Sequence, residues 1–282
     1  MKPRLVVLAS LLGLALVGGA AALAASGDDG RRASRAELRG VNFVSVCGFS
    51  HRAADDPIVF PGAPGRSHDH SFVGNRSTSA GSTLESLLAA GSTCRRAGDT
   101  AAYWMPTLLV DGRAVAPLGA TIYYRRRTVE AVRPFPQGLK VIAGDAAATS
   151  PQPRGVTFWS CGAVGGVPPS STVPTCPAGR RTTLRLHVRF PDCWDGRSLD
   201  SADHRSHMAY ARRGRCPSTH SVAVPAIALI YRYQVAGGPG TELASGGQFS
   251  AHADFFNSWR RGALNGLVQS CLNALRHCGR GR

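Results

Sequence analysis

The sequence is poor in charged residues and in methionine, and each shortage argues against certain classes of protein. Charged residues make up only 18% of the 282 residues, which disfavours a disordered or coiled-coil chain. With 33 glycines, 18 prolines and only 3 methionines, the composition disfavours a helix bundle, because glycine and proline break helices. The apolar fraction of 43% is ordinary for a packed globular domain.

Lysine is nearly absent, since Lys2 and Lys140 are the only lysines beside the many arginines. The 33 basic residues against 17 acidic ones give a formal net charge of +16. Such a charge attracts polyanions, for example an acidic cell envelope. The arginines are scattered and no nucleic-acid-binding motif accompanies them, so we expect no nucleic acid among the partners.

The N-terminus has the layout of a secretory signal peptide. A basic start is followed by an apolar run from Leu5 to Leu16 and then by small residues. We expect residues 1–25 to be a signal peptide, residues 26–39 a flexible lead-in and residues 40–278 a single secreted domain. An uncleaved N-terminal anchor is the alternative. No later stretch has eighteen uninterrupted apolar residues, so we expect no membrane insertion after cleavage and an extracytoplasmic location.

No two of the eight cysteines have the Cys-x-x-Cys spacing that is typical of zinc sites. An even number of cysteines in an exported chain instead predicts disulfide bonds. Cys271 and Cys278 lie seven residues apart on a predicted helix, too far for a bridge unless the end of that helix unwinds. Two local pairs that each flank a loop-like segment are predicted: Cys161 with Cys176, and Cys193 with Cys216.

Short strand-like runs dominate the rest of the sequence. In Thr182–Phe190, apolar residues alternate with Arg185, His187 and Arg189, which is the pattern of a half-buried strand. Pro225 interrupts a longer apolar run, Val222–Val235, and places that end at an edge or a bulge. We therefore predict a mainly β fold, a sandwich or jelly-roll with a few helices, stapled by disulfides. Further predicted strands are 41–47, 103–110, 120–125, 139–143 and 156–160.

Two segments are predicted to be helical. Ser82 and Glu85 have the spacing of a capping box before a segment that ends at Gly91. The second segment, from Phe256 to Arg276, has apolar residues, Trp259 among them, at helical spacing. That stripe predicts a helix packed on the core.

Histidine and aspartate are concentrated in three short clusters, which are the candidates for chemistry. His68 and His70 are two residues apart, and in an extended segment such residues point the same way. His252 and Asp254 have the same spacing. In the third cluster, His204 and His207 share a face if that segment is helical.

Two chemistries use histidine and aspartate on one surface. A divalent metal binds imidazole nitrogens and a carboxylate with a position open for water, and it is the candidate cofactor here. Without a metal, the same groups transfer protons to and from a scissile bond. We expect His68, His70 and His252 to bind a metal or orient substrate. The candidate catalytic acid and base groups are Asp192, Asp195, Asp254, His204 and His207.

These clusters belong to longer blocks of sequence. The blocks are DPIVFPG at residues 56–62, SHDH at 67–70, TLESLL at 83–88, AYW at 102–104, FPDCWDG at 190–196, DHRSHMAY at 203–210 and HADFFN at 252–257. With them, residues 41–272 resemble the secreted domain-of-unknown-function family nineteen ninety-six of actinobacteria and fungi. In fungi such domains are often joined to carbohydrate-binding WSC modules, so the resemblance implies a role at a polysaccharide surface. It implies no established reaction.

Aromatic rings on which sugars can stack support a polysaccharide partner. Trp194, flanked by Asp192 and Asp195, is the preferred candidate, and Trp104 is a further one. We expect an exported protein that acts on cell-wall or environmental polysaccharide, as a hydrolase or lyase, through its histidine and aspartate cluster. One alternative is a non-catalytic carbohydrate- or envelope-binding protein with structural histidines. Another is a metal-handling protein without glycan chemistry.

Overall fold

The computed structural model describes Met1 and residues 32–163, 166–179 and 182–280. The expected signal peptide, apart from Met1, and the first part of the expected lead-in lie outside the described residues. From residue 32 the chain contacts the domain, because Ala33 is buried and its N–H donates to the carbonyl of Val129.

The fold is mainly β with few helices, as the sequence predicts. The helices of the described residues are α1 (Leu84–Ala89), α2 (Arg261–Leu267), a 3-10 turn (Ser218–His220) and a π-helical segment (Val268–Asn273). None of them is long and apolar enough to cross a membrane. The strands of the described residues are β1 (Asn42–Cys47), β2 (Phe49–Ala53), β3 (His70–Gly74), β4 (Ala102–Pro106), β5 (Leu108–Val110), β6 (Arg113–Val115), β7 (Gly119–Arg125), β8 (Lys140–Gly144), β9 (Thr157–Ser160), β10 (Leu184–Arg189), β11 (Cys193–Trp194), β12 (Met208–Ala209), β13 (Val222–Ala223), β14 (Ala226–Tyr233), β15 (Thr241–Leu243), β16 (His252–Phe256) and β17 (His277–Arg280).

Two large sheets pack face to face around the main core. One has the order β17-β1-β7-β14-β10-β9 and the other the order β2-β3-β4-β16-β8. The hydroxyls of Tyr103 on β4 and Tyr124 on β7 are hydrogen bonded across the interface. The hydroxyl of Tyr231 on β14 donates to the carbonyl of Ser71 on β3 at 2.7 Å. The architecture is therefore a sandwich, with small three-stranded sheets β12-β11-β13 and β15-β5-β6 at its margins.

The outer face of the five-stranded sheet carries a second, smaller apolar cluster. Phe72, Trp104 and Ile142, on adjacent parts of the sheet, pack there with Ile58 and with Leu87 of α1. Residue alternation explains this division, because neighbouring positions such as Val73 and Tyr103 point into the main core. The loop before β3 and α1 thus cover the outer face, and the candidate site lies under this cover.

Four disulfides close the fold, and every cysteine is paired. The two predicted local pairs, Cys161–Cys176 and Cys193–Cys216, are confirmed. Cys271 and Cys278 are also bonded, with their Cα atoms 5.8 Å apart, because the helix ends at Asn273 and β17 begins at His277. The unwinding that such a bridge requires therefore occurs. Disulfides in this number are typical of proteins from oxidising compartments.

Several predicted element boundaries are wrong. The helix predicted from Phe256 begins only at Arg261, because Phe256 pairs with Lys140 and Ala102 in the sheet. Trp259 still lies in the core, although it precedes the helix. The predicted strands 103–110 and 222–235 are each divided in two. In α1 the capping box is formed by Thr83 and Ser86 instead of Ser82 and Glu85.

Candidate metal centre

Three of the predicted histidines converge on one point. The Nε2 atoms of His68 and His252 are 3.1 Å apart, and those of His70 and His252 are 3.4 Å apart. His70 and His252 are buried, whereas His68 is partly exposed. The site is therefore enclosed by the sheet and open on the side of His68.

Strand register explains why residues so distant in sequence meet. Strand β4 lies between β3 and β16, and His70 stands opposite Pro106 on β4. Because Asp254 stands opposite Trp104 in the antiparallel pair, His252, two residues earlier, is level with Pro106 as well. His70 and His252 thus lie in one row across the sheet, and His68 reaches the same row from the preceding loop.

Backbone carbonyls fix the protonation of two of the rings. The Nδ1 atom of His70 donates to the carbonyl of Asp55 at 3.0 Å, and that of His252 donates to the carbonyl of Ser250 at 2.9 Å. A carbonyl only accepts hydrogen bonds, so Nδ1 carries the proton and Nε2 presents a lone pair to the centre. A hydrogen bond of this kind is the usual support of a metal-binding histidine.

The distances between the nitrogens fit a shared metal ion. Metal–nitrogen bonds of about 2.0–2.1 Å place two ligand nitrogens about 2.8–3.4 Å apart in octahedral or tetrahedral geometry. The ligand atoms of all three histidines lie within 4.8 Å of one another. Cys47, Cys94 and Asp99 are also close together, but the two sulfurs are bonded to each other and supply no thiolate.

Two aspartates complete the cluster. The Oδ2 atom of Asp254 is 3.9 Å from Nε2 of His252, and neither carboxylate oxygen of Asp254 has a hydrogen-bond partner within the described residues. Asp56 joins His70 and Asp254 in a second set of ligand atoms within 4.8 Å. One oxygen of Asp56 accepts the N–H groups of Ile58 and Val59, which fixes the carboxylate. An unpartnered buried carboxylate is costly, and a cation at this point would stabilise it.

Burial sets the protonation states in the site. It lowers the pKa of His68 and His70, and it lowers the pKa of His252 to about 3. The three rings are therefore neutral at neutral pH, as metal ligands must be. Burial, and next the charge of Asp56, raise the pKa of Asp254 well above its usual value.

The third predicted cluster does not join this centre through its histidines. Residues 200–207 form turns rather than a helix, and His204 adopts a positive φ of 58°, so the helix that would give His204 and His207 a shared face does not form. His204 pairs with Asp200 at 2.8 Å. His207 is buried, with Nε2 donating to the carbonyl of Lys140 and Nδ1 bonded to the hydroxyl of Ser201.

The remaining predicted site residues lie outside the histidine cluster, and most of them hold turns or strand ends in place. Asp195 accepts the N–H groups of Arg197 and Ser198 in a turn, and Asp192 is buried and accepts the N–H of Ala211. Trp194 is partly exposed, and its indole N–H donates to the carbonyl of Ser198. Trp104 is fully buried in the outer apolar cluster, which corrects the expectation that its ring stacks on a sugar.

Sequence reasoning missed Asp56 and Arg205. Asp56 lies twelve residues before His68, so no short spacing joins it to the histidines. Arg205 donates to the carbonyl of Gly144, the residue opposite His252 in the sheet. Both residues fall in the sequence blocks noted above, which were the only available signal.

The fold and the site together define a disulfide-bonded β-sandwich protein with a buried cluster of three histidines and two aspartates. Residues 56–259 match the family described as Domain of unknown function (DUF1996). The chain therefore belongs to this family, and the resemblance seen in the sequence is confirmed. All five residues of the cluster lie within the matched range. No curated protein and no solved structure matches the chain.

Proposed function

We propose that this chain is a secreted, metal-dependent enzyme that hydrolyses polysaccharide. His68, His70, His252 and Asp254 bind one divalent metal ion. The observation that carries the proposal is the convergence of neutral Nε2 atoms beside a buried carboxylate that has no partner in the described residues. Imidazole nitrogens with one carboxylate are the ligand set of catalytic zinc and related metal sites.

The open side of the centre supports catalysis over a purely structural metal. Four protein ligands fill a tetrahedral site, but a metal ion that takes five or six ligands keeps a position for water beside three histidines and one aspartate. Here His68 is partly exposed, so water and substrate reach the metal from its side. A divalent metal held by these residues would lower the pKa of a bound water, and the carboxylate of Asp56, with an oxygen within 4.8 Å of the ligand atoms of His70 and Asp254, would accept a proton there.

The polysaccharide and secreted parts of the proposal have separate support. The signal-peptide layout and the four disulfides favour an oxidising, extracytoplasmic location. The sequence family implies a polysaccharide surface. A partly exposed tyrosine, Tyr210, lines a cavity beside the centre and offers a ring for sugar stacking.

The test is release of new chain ends from a panel of cell-wall and environmental polysaccharides. We expect hydrolysis that a chelator abolishes and that added divalent metal restores. The variant His68→Ala/His70→Ala should be inactive, and His277→Ala, which removes an exposed histidine, should be as active as the wild type. Glycan binding without cleavage, unchanged by chelator and by His68→Ala/His70→Ala, would contradict the proposal and favour a carbohydrate-binding protein with structural histidines.

A further inference from the structure

An arginine-rich cleft lies at one end of the sandwich. A cavity of about 480 Å³ is lined by Arg35, Arg39, Arg126, Arg127 and Arg213. An adjoining cavity of about 460 Å³ shares Arg126 and Arg127 and adds Arg125 and Arg189. We call these two cavities together the arginine cleft.

Six of the seven arginines that line this cleft have no ion pair within the described residues. These six are Arg35, Arg39, Arg125, Arg127, Arg189 and Arg213. Asp192 is the only carboxylate among the described lining residues, and burial raises its pKa. Burial and then repulsion between neighbouring arginines lower the pKa of Arg189. A bound anion would relieve this repulsion.

Two of the guanidinium groups are held in place before any ligand binds. Arg125 lies over the ring of Tyr123 at 4.6 Å, and Arg189 lies over the ring of Phe158 at 5.0 Å. Stacking of this kind fixes the plane of a guanidinium group. The cleft therefore presents oriented donors, which reduces the entropy that binding costs.

A third cavity adjoins the arginine cleft and reaches β8, the strand next to the one that carries His252. It has a volume of about 230 Å³, shares Val156 and Tyr210 with the larger cavity, and is also lined by Gly144 and Arg205. Gly144 stands opposite His252 in the sheet. The cavities thus extend from the arginines past Tyr210 to Gly144, beside the strand of His252.

Tyr210 is well placed to contact a sugar along these cavities. Its hydroxyl donates to the carbonyl of Arg189 at 2.8 Å, which fixes the ring, and the residue remains 40% exposed. An exposed, fixed aromatic ring is the usual platform for stacking on a pyranose face.

We propose that the arginine cleft binds an acidic polysaccharide. Its carboxylate or phosphate groups contact the arginines, a sugar ring stacks on Tyr210, and the chain continues to the metal centre. This inference rests on the proposed function and names the chemical class of its substrate.

The first experiment compares binding of three polymers of similar length to the mature chain: polygalacturonate, a phosphomannan and neutral dextran. The two acidic polymers carry the two sources of negative charge. We expect at least one of them to bind at least about tenfold more tightly than dextran, and added salt to weaken that binding. Equal affinity for acidic and neutral polymers would overturn the inference.

The second experiment locates the site. Arg39→Gln/Arg127→Gln/Arg213→Gln removes three exposed charges of the cleft and should weaken acidic-polymer binding about tenfold. The control Arg76→Gln/Arg113→Gln/Arg276→Gln removes three exposed charges elsewhere and should change binding less than about twofold. Equal losses in both variants would show that net charge alone attracts the polymer, and would overturn the inference.

A third pair of variants tests the stacking platform. Tyr210→Ala should weaken binding, whereas Tyr210→Phe, which keeps the ring, should not.

Failure of the proposed function is distinguishable from failure of this inference. Acidic-polymer binding in a chain that holds no metal would leave the cleft intact and overturn the enzyme. Metal-dependent cleavage of neutral glycans, without binding of acidic polymers, would support the proposed enzyme and overturn the inference about the arginine cleft.

Discussion

At the scale of single residues, the carboxyl group of Asp254 links stability to metal binding. It is fully buried, its oxygens have no hydrogen-bond partner in the described residues, and its pKa is raised mainly by burial. In the metal-free protein the carboxyl group either keeps its proton or carries a charge that burial makes costly. A divalent ion removes that cost, because it favours the charged form.

Asp254→Asn tests this link. We expect the metal-free variant to unfold at the same temperature as the metal-free wild type or a higher one at pH 8, because a neutral amide replaces a carboxyl group whose ionisation burial makes unfavourable. Its metal affinity should fall at least about tenfold, so added metal should raise its unfolding temperature less than that of the wild type. Thermal unfolding with and without metal measures both effects. Equal stabilisation of the two proteins by metal would contradict a ligand role for Asp254.

Asp99 gives a pH dependence that is independent of the metal centre. Burial raises its pKa from 3.8 to about 7 in the folded protein. Between these values the folded state retains a proton that the unfolded state has lost, so the free energy of unfolding falls as pH rises from about 4 to about 7 and is then level. Its Oδ1 accepts the hydroxyl of Tyr103 and the N–H of Ala101.

Asp99→Asn keeps an acceptor for both hydrogen bonds and removes the titration. We expect a flatter stability profile between pH 4 and pH 7, measured by urea unfolding. Asp203→Asn is the control, because hydrogen bonds in a turn lower the pKa of the exposed Asp203. Its contribution makes the free energy of unfolding rise with pH, and it does so at lower pH than the contribution of Asp99. A profile unchanged by Asp99→Asn would show that the buried carboxyl does not titrate in this window.

At the scale of elements, the capping box of helix α1 is formed by other residues than the sequence pattern predicts. The side chain of Thr83 accepts the N–H of Ser86, and the side chain of Ser86 accepts the N–H of Thr83. Thr83→Ala should therefore destabilise the protein by about 1 kcal/mol. Glu85→Ala should change stability by less than about 0.5 kcal/mol, since Glu85 is exposed and only near the helix start. Urea unfolding distinguishes the two, and a larger effect of Glu85→Ala would restore the capping box predicted from sequence.

Strands were predictable where one face is buried. In β10, Leu184, Leu186 and Val188 are buried while Arg185 and His187 are not, so the alternation in the sequence is the alternation in the structure. The C-terminal helix was less predictable. The helical spacing of its apolar residues includes Phe256, but Phe256 pairs with Ala102 and Lys140 in the sheet. Strand pairing across the fold therefore overrides the local helical pattern at this residue.

At the scale of the whole molecule, the candidate site depends on contacts between distant parts of the chain. The sequence shows that His68 and His70 form a pair, and that His252 and Asp254 form another. It does not show that the pairs meet, because that depends on the order β3-β4-β16 and on its register. His204 and His207 also form a close pair in the sequence, yet His204 pairs with Asp200, and His207 is bonded to Ser201 and to the carbonyl of Lys140.

The arginine cleft is also a property of the whole fold. Its arginines come from the segment before β1, from the end of β7, from β10 and from the loop after β12. In the sequence they are scattered among many others, so only the fold shows that they surround one cavity. The same fold places Tyr210 in both the arginine-lined cavity and the cavity that reaches Gly144, opposite His252.

The metal content of the chain produced without residues 1–25 tests the proposed metal centre. The chain is purified from an oxidising compartment without chelator, and its metal is measured by elemental mass spectrometry. We predict close to one divalent metal ion per chain, lost in His68→Ala/His70→Ala and retained in His277→Ala. A folded wild-type chain that holds no metal, even after incubation with divalent ions, would contradict the metal centre and the function built on it.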